Sequence, residues 1–457
     1  MRNRYTSLWI WLGVMTLAFD FKSPDAATSH SAQSVVVLPA ICGVIALIMI
    51  GPRFTFATPL RAFVSAALWF NVIGSIVPQA MQGNAVGDYL RVLLPFVLFA
   101  LGFSAACRPW EPRRIAQIER VMWYANVACL LFTFVYGLVC GWPIHDVRYR
   151  IISPTLLGLQ GMLLYQFIVV RRVSMLTIGV FLFTLVVAVV SVTRSLFVAT
   201  ALLAMFAMWM GTSTLGQLLK AGMHACVAVL CMGVVAVGTA WLEPDIAFHW
   251  MQRIYAAKDS EAGRDPTTIT RLAELRDQYD RVTSSATTLL LGEGYGHEYR
   301  YSPAYLPDLA GQISKKDYYA IHEWTAGHNF WVYQLFAGGI LFGIAMPVAI
   351  LLVLARTAFA YRRWRRIAPR EPMLHPFGRM IMMLAAVPAT SIGGNPFGQR
   401  FSGILYGVVL GLAVALYLIL RRRYDVAARR RQAVPVPVFH QPTQAAPLGA
   451  LATSEPR

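Results

Sequence analysis

The sequence predicts an all-α polytopic membrane protein with about twelve transmembrane helices and one large, partly helical loop outside the membrane. Of the 457 residues, 57% are hydrophobic and only 14% are charged, too few charges to cover the surface of a soluble protein of this length. Apolar runs recur along the chain, and most reach the roughly 20 residues with which a helix crosses about 30 Å of hydrocarbon. The runs are 9–18, 33–50, 59–77, 89–106, 121–140, 154–170, 174–192, 195–210, 222–241, 329–355, 378–393 and 402–420.

The distribution of positive charge predicts the side of the membrane on which each connecting segment lies. With the amino terminus in the cytoplasm, cytoplasmic segments collect 25 of the 40 Lys and Arg residues, and nine of the other 15 fall on segment 243–328. Short cytoplasmic loops are enriched in Lys and Arg, whereas long loops cross the membrane largely regardless of charge. We therefore expect both termini in the cytoplasm and segment 243–328 on the other side. The net charge of +18 then reflects membrane orientation, and we expect no nucleic-acid partner.

Four regions follow from this pattern. Residues 1–242 contain the first nine helices, 243–328 form the outer loop, 329–421 contain the last three helices, and 422–457 form a cytoplasmic tail. The tail is rich in Pro, Ala and Gln, which predicts disorder. The outer loop holds 13 of the 22 acidic residues and is too long for a simple connector, so we expect it to fold over the outer end of the helices.

One helix is predicted within the outer loop, at "DPTTITRLAELRDQYDRV", residues 265–282. Asp265 is a favourable N-cap, and Pro266 is favourable at the first helical position. The apolar side chains at helical spacing predict a buried stripe made of Ile269, Leu272, Leu275 and Tyr279.

Several arginines on the outer side are candidates for binding an anion. Arg194 lies between two apolar runs that have almost no loop between them, and Arg271 lies on the predicted loop helix. Arg148, Arg150 and Arg400 add to a positive rim. An arginine fork matches phosphate oxygens and stays charged at any physiological pH, which favours a diphosphate ligand. The alternatives are that Arg194 extends to lipid phosphates and that Arg271 is a solvated surface charge.

His328, in "TAGHNFWVYQLFAGGILFG", is the strongest candidate for a proton acceptor on the same side. An imidazole titrates near neutral pH, which suits a general base. His297 and His322 compete for that role. The nearby "GEGYG", residues 292–296, has neither a strand before it nor a clear helix after it, so it predicts a tight turn rather than a phosphate-binding loop.

Nothing in the sequence predicts a metal or another cofactor. H-E-x-x-H and D-x-D motifs are absent, and no carboxylates face His328 at helical spacing. All six cysteines lie within or at the edges of apolar runs, where small apolar packing residues are expected. We therefore expect chemistry that needs no metal.

Taken in order, "SVTRSLFVATALLAMF", "TRLAELRDQY", "LLLGEGYGHEY" and "GHNFWVYQLFAGGILFGIA" resemble the O-antigen ligase and polymerase superfamily of bacterial membrane glycosyltransferases. The resemblance covers about residues 190–345. It implies a GT-C-like helical fold in the bacterial inner membrane, with the long loop in the periplasm. It also implies that Arg194 and Arg271 bind the diphosphate of the donor and that His328 is the catalytic histidine.

The function implied is transfer of a glycan from undecaprenyl diphosphate to an acceptor hydroxyl, with inversion and without a metal. The acceptor is lipid A-core for a ligase and a second lipid-linked glycan for a polymerase, and a few relatives glycosylate protein. Asn329 either orients a reacting group or is simply a helix N-cap, which is the more common role. A transporter or flippase of lipid-linked oligosaccharides is the alternative from another class, and a membrane scaffold with an exported binding loop is a third.

Overall fold

The structure is a computed structural model that describes residues 2–20, 26–140, 153–212, 214–255, 263, 265–309 and 313–433. These residues are mostly helical and contain no strand beyond an isolated antiparallel bridge between Tyr299 and Glu323, which confirms the all-α class. The α-helices are α1 (Arg2–Val14), α2 (Ala26–Ile50), α3 (Pro59–Gly74), α4 (Ile76–Gln82), α5 (Val86–Ala106), α6 (Pro112–Val139), α7 (Ser153–Leu164), α8 (Met175–Val190), α9 (Arg194–Gly211), α10 (Leu215–Leu242), α11 (Pro244–Tyr255), α12 (Pro266–Val282), α13 (Ala286–Leu291), α14 (Lys315–Ala320), α15 (Phe330–Gly338), α16 (Ala345–Ile367), α17 (Leu374–Thr390) and α18 (Ser402–Ala433).

Each of the twelve apolar runs falls on a helical segment, and several of these segments are long and apolar enough to cross a membrane. Among the described residues, seven meet that condition by length and composition, or eight if the bent pair Val229–Leu242 and Pro244–Gln252 forms one span. The seven are Pro59–Gln82, Val86–Ala106, Pro112–Val139, Ser153–Val170, Arg194–Gly211, Ala345–Ile367 and Ser402–Tyr424. The polytopic membrane class is therefore supported, and the larger number of twelve spans stays a prediction.

Residues up to Leu418 form one compact unit, and a second unit begins at Ile419. In the first unit, α17 and the first part of α18 are buried along nearly their whole length. Helix α17 packs against α7, α9 and α16. Gly403 and Gly407 let the backbone of α18 approach that of α5, because a Cβ at either position would lie within 2.3 Å of a carbonyl oxygen of α5. The loop that joins α17 and α18 forms one wall of the site described below.

The apolar run 329–355, predicted to be one span, is broken in two. Helix α15 ends at Gly338, Gly339 has a left-handed φ of +59°, and a π-helical turn over Gly339–Gly343 precedes α16. Glycine is the residue that adopts positive φ without strain, so the pair of glycines permits the break. Hydropathy does not register such a break, because it averages over the whole run.

The "GEGYG" segment forms the predicted tight turn, and it docks on this break. Gly292, Gly294 and Gly296 have φ values of +84°, +90° and +74°. The backbone N–H of Glu293 donates to the carbonyl of Phe336 at 2.8 Å, and the N–H of Gly294 donates to that of Ala337 at 3.0 Å. The turn thus satisfies carbonyls that the end of α15 would otherwise leave without partners.

Replacing Gly292 with alanine is expected to destabilise the protein by roughly 2 kcal/mol or more, since positive φ strains an alanine and overpacking adds to it. A Cβ there would lie 2.5 Å from the carbonyl oxygen of Ala337. Gly87 on α5 is the matched control, because a Cβ at that position meets nothing within 4 Å. Thermal unfolding in detergent should show a lower midpoint for G292A and an equal or higher one for G87A. Equal midpoints for G292A and the wild type would contradict the assigned turn.

Candidate functional site

A cavity of about 700 Å³ lies where several helices begin or end. Its walls come from the start of α7, the turn between α8 and α9, the start of α12, the segment before α15 and the loop between α17 and α18. We call it the main cavity. Arg194, Arg271 and His328, which lie far apart in the sequence, all line it.

His328 is held by a buried carboxylate. Its Nδ1 atom lies 2.7 Å from Oε2 of Glu274, and its backbone N–H donates to Oε1 of the same residue at 2.7 Å. The Glu274 side chain is 4% exposed, whereas that of His328 is 57% exposed. In the neutral tautomer with its proton on Nδ1, the imidazole donates to Glu274 and keeps the Nε2 lone pair available as a base.

Glu274 is the residue that the sequence analysis missed, because the predicted buried stripe of α12 is only partly confirmed: Ile269 is buried and Leu275 is half-buried. Leu272 and Tyr279 are 39% and 46% exposed. The buried positions of α12 are Ile269, Ala273, Glu274, Gln278 and Val282. The buried face is partly polar because α12 packs against α15, whose preceding segment presents the His328 backbone N–H and imidazole to Glu274. The one available signal was the i, i+4 spacing of Glu274 and Gln278, whose side chains are hydrogen-bonded at 3.3 Å.

Gly327 precedes the histidine because no larger residue fits there. A Cβ at this position would lie 2.5 Å from Oε1 of Glu274 and 2.6 Å from Nε2 of Gln278. The absence of a side chain brings the chain close enough for both contacts between Glu274 and His328. Asn395, from the loop between α17 and α18, fixes the same segment by donating to the carbonyl of Ala326 at 2.6 Å.

Arg194 is the first residue of α9, and a strained backbone positions it. Two residues earlier, Val192 has a φ of +46°, which is unfavourable for a β-branched side chain. Its side chain is buried in a small apolar cluster with Val190 and Ile246. Such strain persists only where the surrounding structure enforces it, and it occurs frequently at functional sites.

Arg194 also forms an ion pair that the sequence did not reveal. Its Nη2 atom lies 2.6 Å from Oδ2 of Asp265, the N-cap of α12, which also accepts from the backbone N–H and the hydroxyl of Thr268. Burial alone would raise the pKa of Asp265, but the hydrogen bonds from Thr268 and Arg194 outweigh it and hold that pKa below its ordinary value. Asp265 is therefore ionised at neutral pH. The ion pair joins the start of α12 to the start of α9. The predicted N-cap role of Asp265 and the predicted position of Pro266 in the first turn are both confirmed.

The other residues that the sequence offered for catalysis do not line the main cavity. Asn329 is the N-cap of α15, where its Oδ1 accepts from two backbone N–H groups at 3.1 Å, so the simple capping role is confirmed. His297 bonds to Asn84 at 2.6 Å, and His322 lies 3.5 Å from Glu298. Neither histidine is among the residues that line the main cavity.

Arg400 lies beside the main cavity without lining it, although its neighbour Gln399 does line it. Burial lowers the pKa of Arg400, an effect that the charge of Asp20 partly offsets. Arg400 therefore does not add to the positive charge that lines the main cavity, although the sequence had predicted that it would. Arg148 and Arg150 lie outside the described residues.

The main cavity combines a proton acceptor with excess positive charge. Among the described residues, its charged lining consists of Arg194 and Arg271 and the carboxylate of Asp265, beside the His328 imidazole. Within the described ranges, no group of three or more His, Cys, Asp or Glu side chains is arranged to hold a metal ion. The side chains present suit an anionic ligand adjacent to a group that loses a proton.

Comparison of the chain with models of known protein families and with curated proteins finds no match. Fold and site together define a helical membrane protein with a charged cavity at one end of its helices.

Proposed function

We propose that this chain is a membrane glycosyltransferase of the O-antigen ligase or polymerase type. It moves a glycan from undecaprenyl diphosphate to an acceptor hydroxyl. The observation that carries the proposal is that His328, whose imidazole contacts the buried Glu274 carboxylate, lines one cavity together with Arg194 and Arg271. A glycosyl transfer from a diphosphate needs both elements, a base for the acceptor hydroxyl and cations for the leaving group.

Contacts at the two ends of α9 support a periplasmic main cavity. Arg194 begins this helix of 18 residues, which is about 27 Å long at 1.5 Å per residue. At its other end, Arg365 donates to the carbonyl of Met210 at 3.2 Å, and Arg362 donates to that of Thr212 at 3.2 Å. These belong to the basic segment expected in the cytoplasm by the positive-inside rule. The main cavity, at the opposite end, then faces the periplasm of a bacterial inner membrane, where lipid-linked glycans are used.

The reaction is a single displacement at the anomeric carbon. The Nε2 atom of His328 accepts the proton of the acceptor hydroxyl as the acceptor oxygen attacks, and the bond between the anomeric carbon and the diphosphate oxygen breaks. The new bond forms on the opposite face of the sugar, so the configuration inverts. Glu274 stabilises the imidazolium that results, because its buried carboxylate already accepts from Nδ1.

Arg194 and Arg271 bind the departing diphosphate. A guanidinium carries five N–H donors, and the ion pair with Asp265 engages only the Nη2 atom of Arg194, so other donors remain for phosphate oxygens. No metal or other cofactor is needed in this scheme, because the two arginines supply the positive charge. Preorganised charges of this kind act strongly on the transition state because they need no rearrangement during the reaction.

Replacing Glu274 with glutamine is expected to lower kcat by about 10- to 100-fold, in the range of losses for partners that orient a functional histidine. The amide can present an N–H to Nδ1 of His328, which favours the tautomer with its proton on Nε2 and so lowers the population of the tautomer that can act as the base. Steady-state transfer kinetics with purified protein measure this effect. Asp280→Asn is the control, because Asp280 is exposed on the same helix and pairs only with Arg276 in the described structure. Unchanged kcat in E274Q would show that the carboxylate does not orient a catalytic imidazole.

A transporter or flippase of lipid-linked oligosaccharides is the alternative function. Proteoliposomes with carrier-linked glycan in one leaflet distinguish the two. A new glycosidic bond, formed without an energy source, supports the transferase, whereas movement of the lipid between leaflets without bond formation supports the flippase. Offering lipid A-core in one reaction and a second lipid-linked glycan in another separates ligase from polymerase.

A further inference from the structure

A second polar cavity, of about 310 Å³, lies between the start of α5 and the segment that follows the "GEGYG" turn. The polar side chains that line it are Asn84, Asp88, Arg281, His297, Glu298 and Arg300. None of them lines the main cavity. The mechanism proposed above uses none of these side chains, so this cavity needs an explanation of its own.

The charge balance of the second cavity distinguishes it from the main cavity. Its described lining contains two arginines, Arg281 and Arg300, and two carboxylates, Asp88 and Glu298, so the formal charges of these side chains cancel. Burial lowers the pKa of His297, which leaves its imidazole neutral at neutral pH. A phosphate group finds no excess of positive charge here. A neutral ligand rich in hydroxyl groups finds both donors and acceptors, which is what each hydroxyl needs.

Hydrogen bonds hold this lining in place. Asn84 bonds through Oδ1 to Nδ1 of His297 at 2.6 Å, and through Nδ2 to the carbonyl of Glu293 at 2.8 Å. Arg281 is fixed by Asp277 at 2.8 Å. Polar groups fixed before binding lose less conformational entropy when a ligand arrives, which favours a binding function over a chance depression of the surface.

A short chain of contacts joins the two cavities. Thr325 lines the main cavity, and its neighbour Trp324 lies under the Arg91 guanidinium, 5.7 Å from the ring centroid. Arg91 in turn lies 3.8 Å from Asp88, which lines the second cavity. The backbones of Tyr299 and Glu323 pair at 2.8 and 2.9 Å, so both cavities border the same two adjacent segments.

We infer that the second cavity binds neutral sugar residues of a glycan whose reacting end occupies the main cavity. Trp324, partly exposed, lies between the cavities and offers an aromatic surface to the C–H face of a sugar ring. The inference rests on the proposed function. The glycan is the donor chain or the acceptor chain, and both have the same hydroxyl chemistry.

Kinetics of the Arg300→Ala variant test the inference. The Arg300 guanidinium is exposed and has no hydrogen-bond or ion-pair partner among the described residues, so its removal should leave folding intact. We expect KM for the substrate that spans both cavities to rise about tenfold, the loss expected from one charged hydrogen bond, with kcat nearly unchanged. Asp88→Asn should act in the same direction. Arg276→Ala is the control, because Arg276 lies outside both cavities and pairs with Asp280.

Shortened substrates identify the glycan. In one series the donor glycan is cut to a single sugar, and in the other series the acceptor glycan is cut. When the shortened glycan no longer reaches the second cavity, R300A and the wild type should have the same KM. The series in which this happens identifies the glycan that the cavity binds. Unchanged KM in R300A and D88N with the long forms of both substrates would overturn the inference, whatever the transfer rate of the wild type.

A binding measurement keeps this test separate from the proposed function. Carrier-free repeat-unit oligosaccharide, released by mild acid from the lipid-linked glycan of the source bacterium, is titrated into the full chain in detergent. The wild type and His328→Ala should bind it equally, and R300A should bind about tenfold more weakly. Equal affinity of R300A and the wild type, or no binding by the wild type, would overturn the saccharide site. Binding without any transfer by the wild type would overturn the proposed function and leave the saccharide site supported.

Discussion

His328→Ala should fold and insert normally while its kcat for glycan transfer falls by roughly 10² to 10⁴-fold, the contribution expected from a general base. The His328 imidazole is the only one in the described lining of the main cavity, and the buried Glu274 carboxylate contacts its Nδ1 atom. Transfer from purified carrier-linked glycan measures the loss. Size-exclusion elution and thermal unfolding measure whether the variant is folded.

A second variant separates the chemical role of His328 from a structural one. His328→Gln keeps a donor that can reach Glu274 but lacks the basic nitrogen, so it should be folded and as inactive as H328A. His249→Ala is the matched histidine control, because His249 lies on α11 and lines neither cavity. Wild-type kcat in H328Q would remove His328 from the mechanism.

The second large effect is expected at Arg194. Arg194→Ala should lower kcat by roughly 10² to 10³-fold, in line with the loss of one preorganised charge contact in a transition state. Arg194→Lys should recover only part of this loss, because an ammonium has no planar fork for two phosphate oxygens. Single-turnover rates at saturating donor measure the effect on the chemical step.

Asp265 supplies an internal check on this assignment. In R194A the carboxylate of Asp265 stays in the main cavity without its ion-pair partner, where it repels the diphosphate. Asp265→Ser keeps a capping side chain and removes the charge, so the double variant R194A/D265S should be faster than R194A alone. A double variant as slow as R194A would mean that charge repulsion adds nothing to the defect. Wild-type kcat in R194A itself would rule out binding of the diphosphate by Arg194.

Local features of the chain could be predicted from the sequence. Asp265 and Pro266 begin α12 as predicted, and Asn329 caps α15. Capping depends on residues within one helical turn, so it is encoded in a few consecutive positions. The apolar runs coincide with helices for the same reason, because hydrophobicity over about 20 residues is a property of the segment itself.

The sequence did not reveal which charged side chains face one another. Glu274 pairs with His328 across 54 positions, and Asp265 pairs with Arg194 across 71. The burial of Glu274 could not be predicted, because nothing in its own helix indicates that a polar backbone segment packs over it. The break at Gly339 was hidden for a similar reason, since the turn that stabilises it donates hydrogen bonds from 43 positions earlier in the chain.

The sequence by itself determined that the chain is helical and membrane-spanning, and it placed Arg194 and His328 at the ends of apolar segments and Arg271 on a helix of the outer loop. Only the tertiary structure decided that these three line one cavity, that His297 and His322 do not, and that Glu274 and Asp265 are their partners. The physical reason is the separation along the chain over which each interaction acts. Hydrophobic burial and capping act within a segment, whereas an ion pair or a buried hydrogen bond depends on which segments pack together.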